Sequence, residues 1–221
     1  MTTVKAPASY GPMQLADRLD LARWQVERAQ RLGLIPAADP KTGRWPAVVV
    51  DDVVARLDDI RAAVGTMPDV GAARAEEHLA KRFNLTVNPG TAAELARRGH
   101  LPVRGEYRGH ALYCGLALET FKGREKVVRA SGAGHLHMRD AAAKVLGIRD
   151  SDFDHLVRAG LLAPADYADS RWNRYDVVPL FRQADLRRLA RSRRIDWAAV
   201  RATPKGSRSP LAALPTRKDR P

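Results

Sequence analysis

The segment LADRLDLARWQVERAQRLGLIP, residues 15–36, has a pattern that returns twice more along the chain. The second copy is LAKRFNLTVNPGTAAELARRGHLP, residues 79–102, and the third is AAKVLGIRDSDFDHLVRAGLLAP, residues 142–164. A recurring pattern of this kind indicates repeated structural units. We therefore expect the 221-residue chain to contain three small units.

Each copy contains a short turn flanked by apolar residues. Its central residue is Asp20, Asn84 or Gly147, and these residue types adopt a left-handed backbone at low cost. An alanine lies four residues earlier in every copy, one helical turn upstream, where a small side chain lets a second helix cross closely. The pattern predicts two helices joined by a tight turn in each copy.

The second helix of each copy is expected to end at a glycine, because a left-handed residue stops a helix. The first of these helices is predicted over residues 23–32. The next is predicted to have Asn88 as its N-cap and to run to residue 98, and the last to run from Asp150 or Ser151 to residue 159. The stop glycines are Gly33, Gly99 and Gly160.

A proline-containing segment follows each glycine and is predicted to form a short β-hairpin, or wing. In the second copy this wing would occupy residues 104–110. In the other two copies Trp45 and Trp172 lie 12 residues after the glycine, and we expect them to pack the wing against the helices. A third helix is predicted in each copy, over residues 47–64, 112–121 and 175–189.

This arrangement resembles the winged helix-turn-helix of the MerR and excisionase group, and RLGLIP, residues 31–36, is similar to that group's passage from recognition helix to wing. The resemblance covers most of the chain as three degenerate copies. It implies a mainly α fold with β-hairpin wings and units at residues 11–66, 72–130 (with a two-residue insertion) and 136–200. No long dimerising helix or effector domain is evident, so no small-molecule effector is expected. Composition predicts a disordered basic tail at residues 201–221.

The formal net charge is +13 and is unevenly distributed. It is 0 over residues 1–70, +5 over 71–135, +3 over 136–200 and +5 over 201–221. Such a basic excess attracts polyanions. With the repeated units, it predicts a non-enzymatic, sequence-specific protein that binds double-stranded DNA, in the role of a transcriptional repressor. An architectural DNA-binding factor and an interaction scaffold that has lost DNA binding are the open alternatives.

In helix-turn-helix proteins the second helix enters the major groove, and its early residues meet the base edges. In the first copy the expected DNA-binding residues are Arg23, Trp24, Gln25, Arg28, Arg31, Lys41 and Arg44. In the second copy they are Thr91, Arg97, Arg98, Arg104 and Arg108, with Glu94 on the same helix. The third copy has an acidic second helix and offers Arg171 and Arg174 in its wing, followed by Arg187, Arg191 and Arg194. Trp24 can be read equally as an exposed contact or as a core anchor.

Several other functions find no support in the sequence. It contains no GxSxG, P-loop or HExxH motif. Cys114 is expected to be a small buried residue, and His135 and His137 lack the further ligands that a metal needs. No apolar run approaches the roughly 18–20 residues that cross a bilayer. We expect no cofactor, no metal and no membrane partner, and a cytoplasmic, nucleoid-associated protein, with a homodimer left open.

Overall fold

The computed structural model describes residues 7–169 and 176–216. Within them helices predominate, and the strands are short and antiparallel, which confirms the mainly α fold. Buried apolar side chains form three clusters, drawn from residues 10–64, 70–130 and 142–214. We refer below to the first, second and third segments, which contain these clusters in that order. No helix in the described part of the chain is long and apolar enough to cross a bilayer.

The first segment contains four helices and one small sheet among its described residues. These elements are β1 (Ser9–Tyr10), α1 (Pro12–Leu19), α2 (Arg23–Arg31), β2 (Trp45–Pro46), α3 (Ala47–Ala55) and α4 (Leu57–Val64). β1 and β2 pair antiparallel, and the buried Trp45 donates its indole N–H to the carbonyl of Pro36 at 2.8 Å. Trp45 therefore packs in the core against the helices, as expected, but it does so from a two-residue strand paired with β1 and not from a hairpin wing.

Two expectations for this segment are wrong. The helix predicted over residues 47–64 is two helices, because the backbone at Arg56 leaves the helical region with φ −112° and ψ 18°. Residues 37–44 form a loop instead of a hairpin. The Asp39 carboxylate accepts the backbone N–H groups of Lys41 and Thr42 at 2.8 and 2.9 Å and closes that loop.

The second segment contains the predicted hairpin. Its elements are α5 (Ala72–Phe83), α6 (Thr91–Arg97), β3 (Val103–Tyr107), β4 (His110–Tyr113), α7 (Gly115–Glu119) and α8 (Arg124–Gly134). β3 and β4 pair antiparallel around a two-residue tip, Arg108 and Gly109, with φ values of 51° and 81°, as a type I′ turn requires. Of the helix predicted over residues 112–121, only α7 is helical in the structure, and α8 was not predicted.

The third segment combines helices with a three-stranded sheet. Its elements are β5 (Leu136–His137), α9 (Arg139–Leu146), α10 (Asp150–Arg158), β6 (Asp166–Asp169), β7 (Val177–Arg182), α11 (Gln183–Ala190), α12 (Trp197–Ala202) and a 3-10 helix (Pro210–Ala213). The sheet order is β5-β7-β6. The helix predicted over residues 175–189 is wrong in its first half, because Val177 and Val178 belong to a strand, where β-branched residues pack well. Trp172 lies outside the described residues.

The chain after residue 200 is ordered as far as the structure describes it. Leu211 is buried in the third cluster, and the Ser209 hydroxyl accepts its backbone N–H at 3.0 Å. The Arg149 guanidinium donates to the carbonyls of Pro204 and Ser207 at 3.0 and 3.1 Å. The expectation of a disordered tail is therefore wrong for residues 201–216, because apolar and polar contacts fix this segment to the third core.

The three turns between first and second helices have the same backbone geometry. Asp20, Asn84 and Gly147 are left-handed, with φ values of 47°, 49° and 67°. In each turn the next residue donates its N–H to the carbonyl of the alanine identified from the sequence, at 3.0 to 3.1 Å. This is the hydrogen bond of a Schellman helix stop. The same left-handed stop occurs after the second helices, at Gly33, Gly99 and Gly160, with φ values of 71°, 73° and 67°.

Candidate nucleic-acid interface

The exposed face of α2 carries two arginines at helical spacing. Arg23, Glu27 and Arg31 follow one another every four residues, so they form one stripe, while Val26 and Ala29 lie in the core. The Arg23 Nε atom donates to Glu27 at 2.9 Å, with the two side chains 82% and 54% exposed. An exposed pair of this kind contributes little, so a phosphate or a base can replace it.

Another side of α2 is fixed to the residues that follow α4. The Gln25 Nε2 atom donates to the carbonyl of Gly65 at 2.9 Å. Arg28 is buried; its guanidinium donates to the carbonyl of Val64 at 2.6 Å and to Asp69 at 2.7 Å. The expectation that Arg28 contacts DNA is therefore wrong, and Gln25 is also occupied within the protein. Trp24 is half-buried under the Arg28 guanidinium, 4.7 Å from the ring centroid.

Asp69 connects α2 to the second segment. Its carboxylate accepts hydrogen bonds from Arg28, from Arg31 at 3.3 Å and from the backbone N–H of Gly115 at 3.0 Å. Burial raises the pKa of Asp69, but the Gly115 hydrogen bond and the Arg28 charge outweigh burial and leave this pKa below its ordinary value. Asp69 is therefore an anion at neutral pH that holds both arginines in place.

Asp69 also lines a groove of about 1110 Å³ at the start of the second segment. Residues 71–74 at the start of α5 form one wall, Arg97 of α6 lies beside them, and Tyr107 and His110 of the hairpin close another side. The remaining wall comes from the third segment, through Ala165, Asp166, Arg182 and Asp185. Asp69 therefore contacts the Arg31 end of the stripe on α2 and also lines the groove between α6 and the hairpin.

The start of α6 is enclosed. The helix begins at Thr91, two residues later than predicted, and Thr91 is fully buried. The Thr91 hydroxyl donates to the carbonyl of Asn88 at 2.5 Å, and the Glu76 carboxylate accepts the N–H of Ala92 at 3.1 Å. Burial raises the pKa of Glu76, and hydrogen bonds from the first N–H groups of α6 only partly offset that effect. The expectation that Thr91 contacts DNA is wrong, because Thr91 is buried and the carboxylate of Glu76 occupies the start of this helix.

Glu94 forms the centre of a buried charge cluster. Its side chain is 0% exposed and pairs with Arg97 and Arg98 at 2.7 Å each and with Arg182 of the third segment at 3.0 Å. Burial raises the pKa of Glu94, but Arg97 and Arg98 outweigh burial and hold this pKa below its ordinary value. Arg97 remains 54% exposed and Arg98 34%. The Glu94 carboxylate is therefore occupied by arginines of the protein, and Arg97 borders the groove.

The hairpin presents two further cations from the expected set. Arg104 and Arg108 are exposed, and the Arg108 guanidinium lies 5.2 Å from the centroid of the Tyr107 ring. Arg108 has a positive φ, a conformation that a side chain other than Gly or Asn adopts at a cost. The hairpin therefore carries an arginine at a position where glycine would be less strained.

The other expected residues of the first segment differ in accessibility. Lys41 is exposed. Arg44 is half-buried and donates to the hydroxyl and the carbonyl of Ser9, both at 2.8 Å, and to Gln14 at 2.9 Å. Arg44 therefore holds the start of the chain against the loop, and a phosphate contact would require breaking those bonds.

In the third segment the second helix is acidic and the basic residues lie elsewhere. On α10, Asp152 is buried against Arg149 at 2.8 Å, while Asp150 is exposed and Asp154 pairs with Arg139 at 2.7 Å. Exposed cations follow at and after the end of α11. Arg187, Arg191 and Arg194 form no ion pair with any residue that the structure describes. Arg171 and Arg174 lie outside the described residues.

Comparisons with protein families, with characterised proteins and with solved structures found no significant match. The site therefore rests on the geometry of this chain. Three acidic residues that position it, Asp69, Glu76 and Glu94, were not identified as such from the sequence. Each is a single carboxylate whose partners come from other elements, so no local spacing marks it.

Proposed function

We propose that the protein is a non-enzymatic, sequence-specific regulator that binds double-stranded DNA with winged helix-turn-helix units and acts at the nucleoid. The exposed stripe of α2 carries the proposal. It follows a left-handed turn and presents Arg23 and Arg31 with a single acidic residue between them. By contrast, α6 is capped by Glu76 and packed against α8, and α10 begins with acidic residues.

The dimensions of the stripe suit a major groove. Arg23 and Arg31 are eight residues apart, which corresponds to about 12 Å along a helix, and the major groove is about 12 Å wide. With the start of α2 at the base edges, Arg23 can donate two hydrogen bonds to a guanine, the commonest specific contact of an arginine. Arg31, which is 52% exposed beside its 3.3 Å contact with Asp69, then lies nearer the backbone, where its exposed side contacts a phosphate.

The hairpin and the groove provide further backbone contacts. Arg108 is exposed at the tip and Arg104 lies at the base of the same hairpin. Arg97 borders the groove that the hairpin lines together with the start of α5. Contacts of this type fix the register of a protein on the duplex without reading sequence.

A second candidate function is that of an architectural DNA-binding factor. The arginines at and after the end of α11 that form no ion pair with residues 7–169 or 176–216 favour it, because clustered cations bind the DNA backbone without sequence preference. On this hypothesis the protein would coat or bend DNA of many sequences. A regulator would instead prefer one short site.

Selection of bound duplexes from a random library, followed by fluorescence anisotropy, tests the proposal. We expect R23A to lose discrimination at one base pair by about 1–3 kcal/mol, roughly 5- to 150-fold. The matched control is R56A, because Arg56, which lies between α3 and α4, also pairs with an acidic residue four positions away, at 2.8 Å, and is 47% exposed. R56A should bind like the unchanged protein.

The outcomes separate the hypotheses. Equal affinity for all selected and scrambled duplexes, unchanged by R23A, would contradict base reading by α2 and favour the architectural factor. Absence of any salt-dependent affinity for DNA would leave the interaction scaffold as the remaining hypothesis.

A further inference from the structure

A second basic surface lies on the first half of α8 and on Lys122, two residues before the helix begins. We call it the α8 basic surface and define it by Lys122, Arg124, Lys126 and Arg129, all exposed. Within the described residues none of the four forms an ion pair, and Glu125 is the acidic residue among them. Three uncompensated positive charges are thus concentrated within eight residues.

The α8 basic surface is separated from the groove by the length of α5. The start of α5 lines the groove, whereas its end contacts the residue before Lys122. The Arg82 Nε atom donates to the carbonyl of Phe121 at 2.7 Å, and the Phe83 and Phe121 ring centroids are 6.3 Å apart. A helix of 12 residues is about 18 Å long. The two sites therefore lie at opposite ends of α5.

The stability of α8 does not explain these cations. Arg124 and Lys126 lie in the first turn of the helix, where the helix dipole opposes positive charge. The stem of Lys126 lies back over Gly123, so that a Cβ added to Gly123 would be 2.9 Å from its Cδ. The Lys126 stem therefore packs over the residue that lies between Lys122 and Arg124 in the chain. Clustered like charges of this kind are neutralised by a polyanion.

We propose that the α8 basic surface binds the phosphate backbone of a second DNA duplex, so that one molecule bridges two duplexes. This inference rests on the proposed function for the first duplex, which α2 and the hairpin contact. Regular phosphates along a duplex can neutralise several cations of an exposed helix at once, and counterion release makes such binding favourable. This second contact is independent of DNA sequence, because the four residues contact phosphates and not base edges.

A capture experiment tests the inference. The duplex selected by the protein is fixed to beads, protein is added, and retention of a second, fluorescent duplex of unrelated sequence is measured. The test variant is K122Q/R124Q/K126Q/R129Q. The control variant, R18Q/R56Q/K81Q/K144Q, removes the same charge from four exposed cations that are dispersed over the chain, three on different helices and Arg56 between α3 and α4. Circular dichroism and thermal unfolding verify that both variants are folded.

We expect the test variant to bind the fixed duplex within about twofold of the unchanged protein and to retain at least roughly tenfold less of the second duplex. The control variant should retain both. Equal capture of the second duplex by the two variants would overturn the inference and leave the proposed function intact. If the unchanged protein binds the fixed duplex but captures no second duplex, the inference is also overturned and the proposed function stays intact. Failure of the unchanged protein to bind any duplex would overturn both.

Discussion

Gly147 and Gly132 both lie in or next to a helix, but their backbones differ. Gly147 is left-handed with φ 67°, whereas Gly132 lies inside α8 with no atom within 4 Å of an added Cβ. A side chain in the left-handed region costs about 1–2 kcal/mol, and glycine inside a helix costs about 0.5–1 kcal/mol relative to alanine. We therefore expect G147A to lower the free energy of unfolding and G132A to raise it, measured by urea titration. A change of the same sign in both variants would contradict the turn geometry.

Glu94 and Glu76 make opposite contributions to the dependence of stability on pH. The folded-state pKa of Glu94 is lowered, so its stabilisation is complete above the unfolded-state pKa of about 4.3 and is lost as pH falls through the folded-state pKa. The folded-state pKa of Glu76 is raised, so its protonation favours the folded state. We compare the decrease in the free energy of unfolding between pH 6 and pH 3. We expect this decrease to be smaller in E94Q than in the unchanged protein, and larger in E76Q. Urea titrations at several pH values measure both, and an unchanged profile for E94Q would show that its pKa is not shifted.

Single residues were predictable where the constraint is local and unpredictable where it is distant. Asp20, Asn84 and Gly147 were identified because a turn needs a left-handed residue at a fixed distance from its helix. Arg28 was assigned to DNA because its helical position was visible, but its partners Val64 and Asp69 are 36 and 41 residues further along the chain. No spacing within α2 reveals that this arginine faces inward.

The hairpin β3–β4 combines an unfavourable backbone with an exposed cation at its tip. Arg108 has φ 51°, and glycine would relieve that strain. We expect R108G to raise the free energy of unfolding by up to about 1 kcal/mol and to lower DNA affinity at the same time. Thermal unfolding and fluorescence anisotropy of the same sample measure the two effects. R108K, which keeps the charge, should preserve most of the affinity, and a loss of affinity equal to that of R108G would contradict a backbone contact.

Elements were predicted correctly where a periodic segment had both a start and a stop signal. The three second helices and the second-segment hairpin satisfy that condition. β7 and the 3-10 helix do not. β7 is a strand because it pairs with β6, the strand before it, and with β5, which is distant in sequence. The 3-10 helix forms because Leu211 fills the third core, although the composition around it is typical of disordered tails.

At the scale of the molecule, the second and third segments are joined by specific buried contacts. Arg182 reaches Glu94 across 88 residues, and the backbones of Gly90 and Gly134 approach so closely that a Cβ on either would clash with the other's carbonyl. The backbone N–H of Gln183 donates to the carbonyl of His135 at 2.8 Å. The repeat pattern indicates three cores, but it does not predict these junctions, since each of them depends on at least one residue outside the repeated motifs, such as Arg182, Gly134 or Gln183.

The net charge of +13 raises the question of whether DNA affinity depends on total charge or on particular contacts. Exposed charges further apart than the Debye length, about 8 Å at physiological salt, are largely screened. The slope of log affinity against log salt therefore counts the phosphates that the protein neutralises. We expect R31A to reduce this slope by about 1 and R56A, which lowers the net charge equally, to leave it unchanged. Anisotropy titrations between 50 and 200 mM salt measure the slope. An equal reduction in both variants would show that the overall field, and not the stripe on α2, governs binding.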